Sequence, residues 1–426
     1  MAHPTSDYLA ELAWRGLLFQ HTEAVGEALA RGPVSGYCGF DPTASSLHVG
    51  SLVPIMGLVH LQRAGHRPVA LVGGGTGMIG DPSGKSAERQ LITREQVEEN
   101  VRGVREQLER FLDFDSPNAA RVVDNADWLL SLDAIAFMRD VGKHFTVNYM
   151  LQKESVQTRL GGESGISYTE FSYMLLQAYD YLELYRRYGV TLQVGGSDQW
   201  GNMTAGTALV RKVEGAEAHV VTFPLVTNAS GAKFGKSEGG NVWLDAARTS
   251  PYKFYQFWIT TEDRDVGRYL RYFTLLPREE IEALEEATAA RPDRREAQQA
   301  LARDVTARVH GAEAARAAEE VSALLFGGGE AGALSPAALE ALRAEVPYAE
   351  VPSPDGAALD ALDLFVAAKL VASRGAGKRL LEQGGVYVNG RRVTPAERTV
   401  APESLLHGGH LLLRKGAREY ALVRVG

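Results

Sequence analysis

The sequence predicts an α/β protein built on a parallel sheet, followed by an α-helical region and a small α+β module. Three observations carry that prediction. Up to about residue 245, short apolar runs bounded by Pro or Gly alternate with helical periods, and one strand–helix–strand unit fits within about forty residues. From 246 to about 345 long runs rich in Ala, Glu, Arg and Leu take over. From 353 to 426 the chain turns basic and carries an Asn-Gly hairpin signal.

Bulk composition sets the class. At 426 residues the chain exceeds one ordinary core, so two or three domains are expected. With 45% hydrophobic and 23% charged residues it reads as globular. A net charge of −8 argues against non-specific nucleic-acid binding by the whole chain, though not against a local basic surface. The single cysteine, Cys38, excludes an intramolecular disulfide and speaks against a zinc–thiolate site, so no protein metal site is expected. Residues 1–18 carry acids and no long apolar run. Neither a signal nor a transit peptide nor a membrane span is expected, and a cytoplasmic enzyme is the default.

Residues 7–31 read as one or two amphipathic helices ending near Gly32-Pro33, and 34–40 as a short strand. Pro42 breaks that strand, since Pro fixes φ and pushes the preceding residue out of the helical region. Ser45 and Ser46 are N-cap candidates for the apolar helix that follows, which runs to about Ala64 and stops at Gly65. His48 and Gly50 then fall in its first turn, where free N–H groups and the helix dipole favour an anion such as phosphate. A helix start with a satisfied histidine gives the same pattern.

Pro68-Val69-Ala70-Leu71-Val72 suits a buried parallel strand. The glycine-rich stretch after it fits two familiar patterns only formally. Gly75-x-Gly77-x-x-Gly80 has dinucleotide spacing, but Asp81-Pro82 follows where that motif needs an unbroken helix. Gly84-Lys85-Ser86 resembles the end of a P-loop, but Ile79 occupies the place of its first glycine. What remains is a glycine loop at a strand's C-terminal end, where open α/β sheets bind ligands, with Lys85 and Arg89 within reach of phosphate.

Residues 95–112 read as a charged helix, 122–125 as a strand, and 142–168 as an insertion of mixed helix and loop. The stretch 169–188 is apolar and aromatic, with Tyr173, Gln177 and Asp180 on one helix face. Such groups either satisfy one another or line a polar pocket; the rarity of unpaired buried Asp favours the pocket. Residues 190–194 form a strand ending in a second glycine turn, Gly195-Gly196-Ser197-Asp198, where Asp198 could accept ribose hydroxyls. After a further strand at 220–223, residues 228–240 form a Gly/Ser-rich segment with Lys233 and Lys236. A mobile loop of that kind carries positive charge that can follow a polyphosphate through reaction.

The helical region 246–352 has net charge −5 and reads as scaffold, with a linker marked by Pro347, Pro352 and Pro354. Residues 353–426 carry net +4. They read as a helix over 359–372, a basic helix with Lys378 and Arg379, and a strand turning at Asn389-Gly390 into Arg391 and Arg392. A compact basic module in an acidic protein points to a polyanion partner.

Together these segments meet a known family. Tyr37-Cys38-Gly39-Phe40-Asp41-Pro42-Thr43 with His48-Val49-Gly50-Ser51 resembles the first signature of the class I aminoacyl-tRNA synthetases. Lys233-Phe234-Gly235-Lys236-Ser237 resembles their second signature. Gly80-Asp81-Pro82-Ser83-Gly84-Lys85, the Tyr173/Gln177/Asp180 face and Gly196-Ser197-Asp198-Gln199-Trp200-Gly201-Asn202 are similar to the bacterial tyrosyl-tRNA synthetases in particular. The C-terminal module is similar to their S4-type RNA-binding domain.

The resemblance implies a Rossmann-like catalytic domain over 1–245, a helical anticodon-binding-type domain over 246–345 and an S4-like domain over 353–426. It also implies a homodimer, with the insertion at about 128–168 as interface. The implied reaction joins L-tyrosine to ATP, with Mg²⁺ accompanying the nucleotide, and then passes the tyrosyl group to tRNA(Tyr). By the same resemblance Tyr37 and Asp180 bind the phenol; Asp81, Tyr173 and Gln177 hold the ammonium group; and Gln199 lies beside the amino acid. Cys38, Gly39, Asp41, Gly50, Gly196, Asp198 and Lys236 contact ATP or the adenylate. Thr43, His48, Lys85, Arg89, Lys233 and Lys236 surround the phosphates. Lys378, Arg379, Arg391 and Arg392 meet RNA.

One departure stands out: the family's first signature usually has a second histidine where this chain has Ser51, which can donate a hydrogen bond but carries no charge. The competing readings are a tryptophan-activating relative, a non-catalytic nucleotide- and RNA-binding protein, and a dinucleotide dehydrogenase. Tyr37 and Asp180 favour a phenol over an indole, the intact lysines and His48 favour catalysis, and Asp81-Pro82 opposes the dehydrogenase.

Overall fold

A computed structural model describes residues 7–83, 92–161, 165–227, 234–237, 240–327, 331–352 and 358–426. Contacts divide the chain into two units, 1–248 with 261–297 and 249–260 with 298–426. The compositional shift near 246 thus marks a short excursion into the second unit, after which 261–297 belongs to the first.

The first unit is built on six strands: β1 (Gln20–His21), β2 (Ser35–Phe40), β3 (Arg67–Val72), β4 (Arg121–Asp124), β5 (Val190–Gly196) and β6 (His219–Phe223). Their spatial order is β1-β6-β5-β2-β3-β4. β2 to β6 run parallel and β1 pairs antiparallel to β6 at the edge. β3 and β6 are buried almost throughout, as strands covered on both faces must be. β1 corrects the all-helical reading of 7–31. Helices Tyr8–Arg15 and Val25–Ala30 flank it, and a two-residue exposed edge strand offers no period to detect.

The helix Leu52–Arg63 joins β2 to β3 and ends at Gly65, whose φ of +87° suits glycine. It lies close against the sheet at Gly57, where a Cβ would fall 2.1 Å from the Phe223 ring. Ser45 and Ser46 do not cap it, contrary to the sequence reading. His48, in extended backbone, caps the short turn Val49–Ser51, while the Ser46 hydroxyl donates to Leu47 O at 2.7 Å. Helix Tyr168–Tyr188 starts on a Ser167/Glu170 pair in capping-box spacing and ends at Gly189 in the left-handed region. Glu170 also forms a 2.7 Å ion pair with Arg159, both buried.

Helices Asp263–Phe273 and Arg278–Ala290 pack within the first unit. Buried Arg15 donates to the carbonyls of Arg271 and Thr274, and Arg271 forks onto Glu285 at 2.8 and 2.6 Å. The long-range Arg15 bonds, invisible to composition, draw 261–297 to the sheet-bearing unit.

The second unit holds helices Pro251–Ile259, Ala312–Gly327 and Pro336–Arg343 and a five-stranded sheet. Sheet order is Arg391–Arg392, Val386–Val388, His410–Lys415, Glu419–Val425, Tyr348–Val351. The last strand corrects the linker reading, since the residues between Pro347 and Pro352 pair parallel to Glu419–Val425. The helix expected over 359–372 is a two-residue strand, Leu359–Asp360, followed by helix Ala361–Ala367. The hairpin forms as expected, with Asn389 and Gly390 at φ of 48° and 81°. Lys378, Arg379, Arg391 and Arg392 are exposed.

Candidate active site

Strand order reverses between β2 and β5, which lie side by side with Tyr37 opposite Gln193. Open parallel sheets form a crevice at such a switch point. A cavity of about 190 Å³ opens there. Of the residues the sequence singles out, Tyr37, Cys38, Gly39, Asp41, Asp81, Tyr173, Gln177, Asp180, Gly196 and Gln199 line it.

Asp180 is buried, with Asn125 Nδ2 donating to Oδ2 at 2.9 Å and Trp128 Nε1 donating to Oδ1 at 2.8 Å. Burial pushes its carboxyl up to about 8, against the lowering effect of those two donors. Tyr37 is 1% exposed and edge-on to Tyr181 at 5.1 Å. Its hydroxyl has no hydrogen-bond partner among the described residues, and burial first, then Asp180, holds its pKa well above the usual phenol value. Gln193 Oε1 is buried and unpartnered in the same sense. Buried polar atoms without partners are rare and point to a group that arrives with a ligand.

The rest of the lining is a polar lattice. Tyr173 OH donates to Asp41 Oδ2 and Thr76 Oγ1 to Asp41 Oδ1, both at 2.9 Å. Gln199 Nε2 donates to Asp81 Oδ2 at 2.7 Å, and Asn202 Nδ2 to Gln177 Oε1 at 3.1 Å. Tyr173, Gln177 and Asp180 share one face of their helix, but each is bonded to a different element. Burial pushes the Cys38 thiol up to about 12, so it stays protonated.

The glycine loop owes its composition to close approach. A Cβ on Gly73 would sit 2.2 Å from Asp41 Oδ1, and one on Gly74 2.3 Å from Asp124 Oδ1. The Gly74 and Gly75 N–H groups donate instead to Asp124 and Asn125. The loop leads into the short turn Thr76–Met78 and then Gly80 at φ +90°, so no helix N-terminus faces it as a dinucleotide site requires.

Thr43, His48, Gly50 and Asp198 do not line the cavity. Thr43 and Asp198 are exposed. His48 Nδ1 accepts from Gly50 N–H at 3.0 Å. Lys85, Arg89 and Lys233 lie outside the described residues. Lys236 is described by its backbone alone, which pairs in the hairpin of Lys236–Ser237 with Gly240–Asn241.

The chain is similar to known proteins over nearly its whole length. The family of class I tRNA synthetases (W and Y) matches residues 29–327, and a tyrosine–tRNA ligase C-terminal domain family matches 338–423. Tyrosine–tRNA ligase of Anaeromyxobacter dehalogenans is 54% identical over 417 residues, covering 98% of this chain and 99% of the relative. That of Bacillus caldotenax is 51% identical over 424 residues, with the same shares covered. The chain belongs to the tyrosyl-tRNA synthetase family. Among solved structures, a C-terminally truncated mitochondrial tyrosyl-tRNA synthetase of Aspergillus nidulans superposes with a TM-score of 0.69 at 29% identity, covering 75% of this chain and 94% of that one. A tryptophanyl-tRNA synthetase of Encephalitozoon cuniculi, at 14% identity and a TM-score of 0.52, shares the fold.

For a tyrosyl-tRNA synthetase, the informative omissions of the sequence reading are Thr76, Asn125, Trp128 and Gln193. Asn125 bonds Thr76, Asp180 and the glycine loop at once. A faint signal existed in Asp124-Asn125, two polar residues closing an apolar strand. Trp128 gave none, because its partner Asp180 lies on another element, and Gln193 gave none, because its place beside Tyr37 is set by strand pairing.

Proposed function

We propose that the chain activates L-tyrosine with ATP, forming tyrosyl-adenylate and pyrophosphate, and then transfers the tyrosyl group to the 3′-terminal ribose of tRNA(Tyr). The observation that carries the site assignment is the Tyr37 hydroxyl, without a partner among the described residues, beside Asp180, itself oriented by two donors. A phenol entering the cavity supplies the missing partner. Asp81, Tyr173 and Gln177 take the ammonium group, with Gln199 beside the amino acid. Cys38, Gly39, Asp41, Gly50, Gly196 and Asp198 take the adenosine side.

The tyrosine carboxylate is already a nucleophile, so the protein needs no nucleophile of its own. The carboxylate oxygen attacks the α-phosphorus, the bond to the bridging oxygen breaks, and pyrophosphate leaves with the electron pair. Positioning and neutralisation of charge then supply the rate. Thr43, His48, Lys85, Arg89, Lys233 and Lys236 take that role, and Mg²⁺ enters with ATP as part of the substrate. Discrimination against phenylalanine follows from leaving the Tyr37 hydroxyl without the phenol as partner and Asp180 one hydrogen bond short; tyrosine-activating enzymes are the standard illustration of that rule.

The exposed cations Lys378, Arg379, Arg391 and Arg392 support tRNA contact by the C-terminal module, and the proposed division is catalytic 1–245, helical 246–345, of which 261–297 belongs to the same compact unit as the catalytic part, and RNA-binding 353–426. A homodimer is supported by exposed apolar side chains in the insertion, Ile135, Met138, Val147 and Tyr168 among them. Ile135→Glu should shift sedimentation toward a monomer. No described helix is long and apolar enough to cross a membrane, and the proposed location is the cytoplasm. Tyrosine-dependent ATP–pyrophosphate exchange tests the central reading. Exchange with tyrosine, and not with tryptophan or phenylalanine, is expected; a folded sample with none refutes it.

A further inference from the structure

One face of the helix Arg94–Leu108 is pressed against the segment that leads into His48. Asn100, Gly103 and Gln107 follow one another at steps of three and four, so they share that face. Asn100 Nδ2 donates to Pro42 O at 2.9 Å. Gly103 lies so close that a Cβ would fall 2.1 Å from Ser45 O. Gln107, buried, uses both ends of its carboxamide: Oε1 accepts from Leu47 N–H at 2.8 Å, and Nε2 donates to Ser46 Oγ at 3.0 Å.

Ser46 passes the contact on. Its hydroxyl also accepts from Asp245 N–H at 3.1 Å, beyond the lysine-bearing segment. Backbone bonds run alongside, from Leu244 N–H to Leu47 O at 2.9 Å and from Val49 N–H to Val242 O at 3.0 Å. Val242 N–H in turn donates to Gly235 O, inside the second signature, at 3.0 Å. His48 sits between Leu47 and Val49, its ring edge toward Trp243 at 6.3 Å. The first signature and the root of the lysine segment are therefore one hydrogen-bonded framework, and Gln107 is its buried clamp.

We infer that Gln107, which does not line the cavity, is a positioning residue for adenylate formation. It fixes the Ser46–Leu47 backbone and so sets where the His48 imidazole stands relative to the polyphosphate, together with the Val242–Leu244 backbone bonded to it. This rests on the reading of His48 as a phosphate contact. The tyrosine half of the cavity hangs on Asn125, Thr76 and Trp128 instead, so a fault at Gln107 falls on the nucleotide half alone.

The test uses the full-length chain carrying Gln107→Met, which keeps the length of the side chain and removes both polar atoms. The rate of tyrosine-dependent pyrophosphate exchange at saturation should fall about 10- to 100-fold, the scale of an ångström's misplacement. Tyrosine affinity, read by equilibrium titration, should stay within about twofold of the parent, since none of its contacts is touched. If Gln107→Met does not fold, Ser46→Ala removes the same node by deleting one oxygen and is expected to act in the same direction. The decisive comparison places the variant in a His48→Ala background. Non-additive losses, with Gln107→Met costing little once His48 is gone, support the inference; losses that multiply overturn it, as does weakened tyrosine binding in step with the rate. If His48→Ala alone leaves exchange unchanged, the reading of His48 fails first, and the two failures are told apart.

Discussion

Trp128 donates its indole N–H to Asp180 at 2.8 Å, and so a residue outside the cavity lining decides how the deepest carboxylate in it is held. Trp128→Phe keeps most of the ring volume and deletes the donor. Tyrosine KM in pyrophosphate exchange should rise about 5- to 30-fold, the equivalent of ~1–2 kcal/mol for a missing hydrogen bond to a charged or strongly polar group. The KM for ATP should not move. A parallel rise in both constants would point to general misfolding rather than to Asp180.

Tyr37→Phe separates stability from binding. In the free protein the Tyr37 hydroxyl is buried without a partner among the described residues, so its removal should leave the denaturation midpoint unchanged or slightly raised. Tyrosine affinity should nevertheless fall about 2- to 13-fold, matching ~0.5–1.5 kcal/mol, while phenylalanine binding stays as it was. Calorimetric titration with both amino acids measures the pair. A loss of stability without a loss of tyrosine affinity would remove Tyr37 from the phenol site.

Asp180 also predicts a pH dependence. Its carboxyl is raised by burial to about 8 in the folded chain, from 3.8 as the ordinary value. A folded pKa above the unfolded one means that the folded state binds the proton more tightly. The stabilisation is complete below about pH 4 and is lost as the pH rises through about 8. Urea midpoints measured from pH 5 to pH 8.5 should therefore fall more steeply for the parent than for Asp180→Asn, which cannot titrate. Equal slopes would show that Asp180 ionises freely.

The basic module makes a separable prediction. Arg391→Gln with Arg392→Gln should leave pyrophosphate exchange intact and raise the KM for tRNA in aminoacylation. The salt dependence of tRNA binding should flatten by about one unit of slope for each phosphate no longer neutralised. An unchanged slope would mean that neither arginine meets the backbone of the RNA.

Much of the local chemistry is legible in the sequence. The parallel strands β2 to β6, the glycine loops that follow β3 and β5, the long helix carrying Tyr173, Gln177 and Asp180, and the Asn389-Gly390 hairpin all follow from short-range rules. Pro and Gly restrict the backbone where they stand, apolar runs set the period, and residues four apart share a helix face whatever surrounds them. Ten of the expected site residues meet at one cavity, and nine of them do so for the same reason: they lie on or just beyond neighbouring strands β2 and β5 or on one face of one helix, while Asp81 is brought in by the loop after β3.

Tertiary structure alone decided the rest. Ser46 serves as a node for Gln107 and Asp245 rather than as a helix cap, because its partners come from 61 and 199 residues away. The strand Tyr348–Val351 exists because Glu419–Val425 offers it an edge, and 261–297 joins the first unit because Arg15 binds the carbonyls of Arg271 and Thr274 there. Local propensity records what each segment can form, but a hydrogen bond between distant segments depends on the register of strands and the crossing of helices, which no single stretch of the chain encodes.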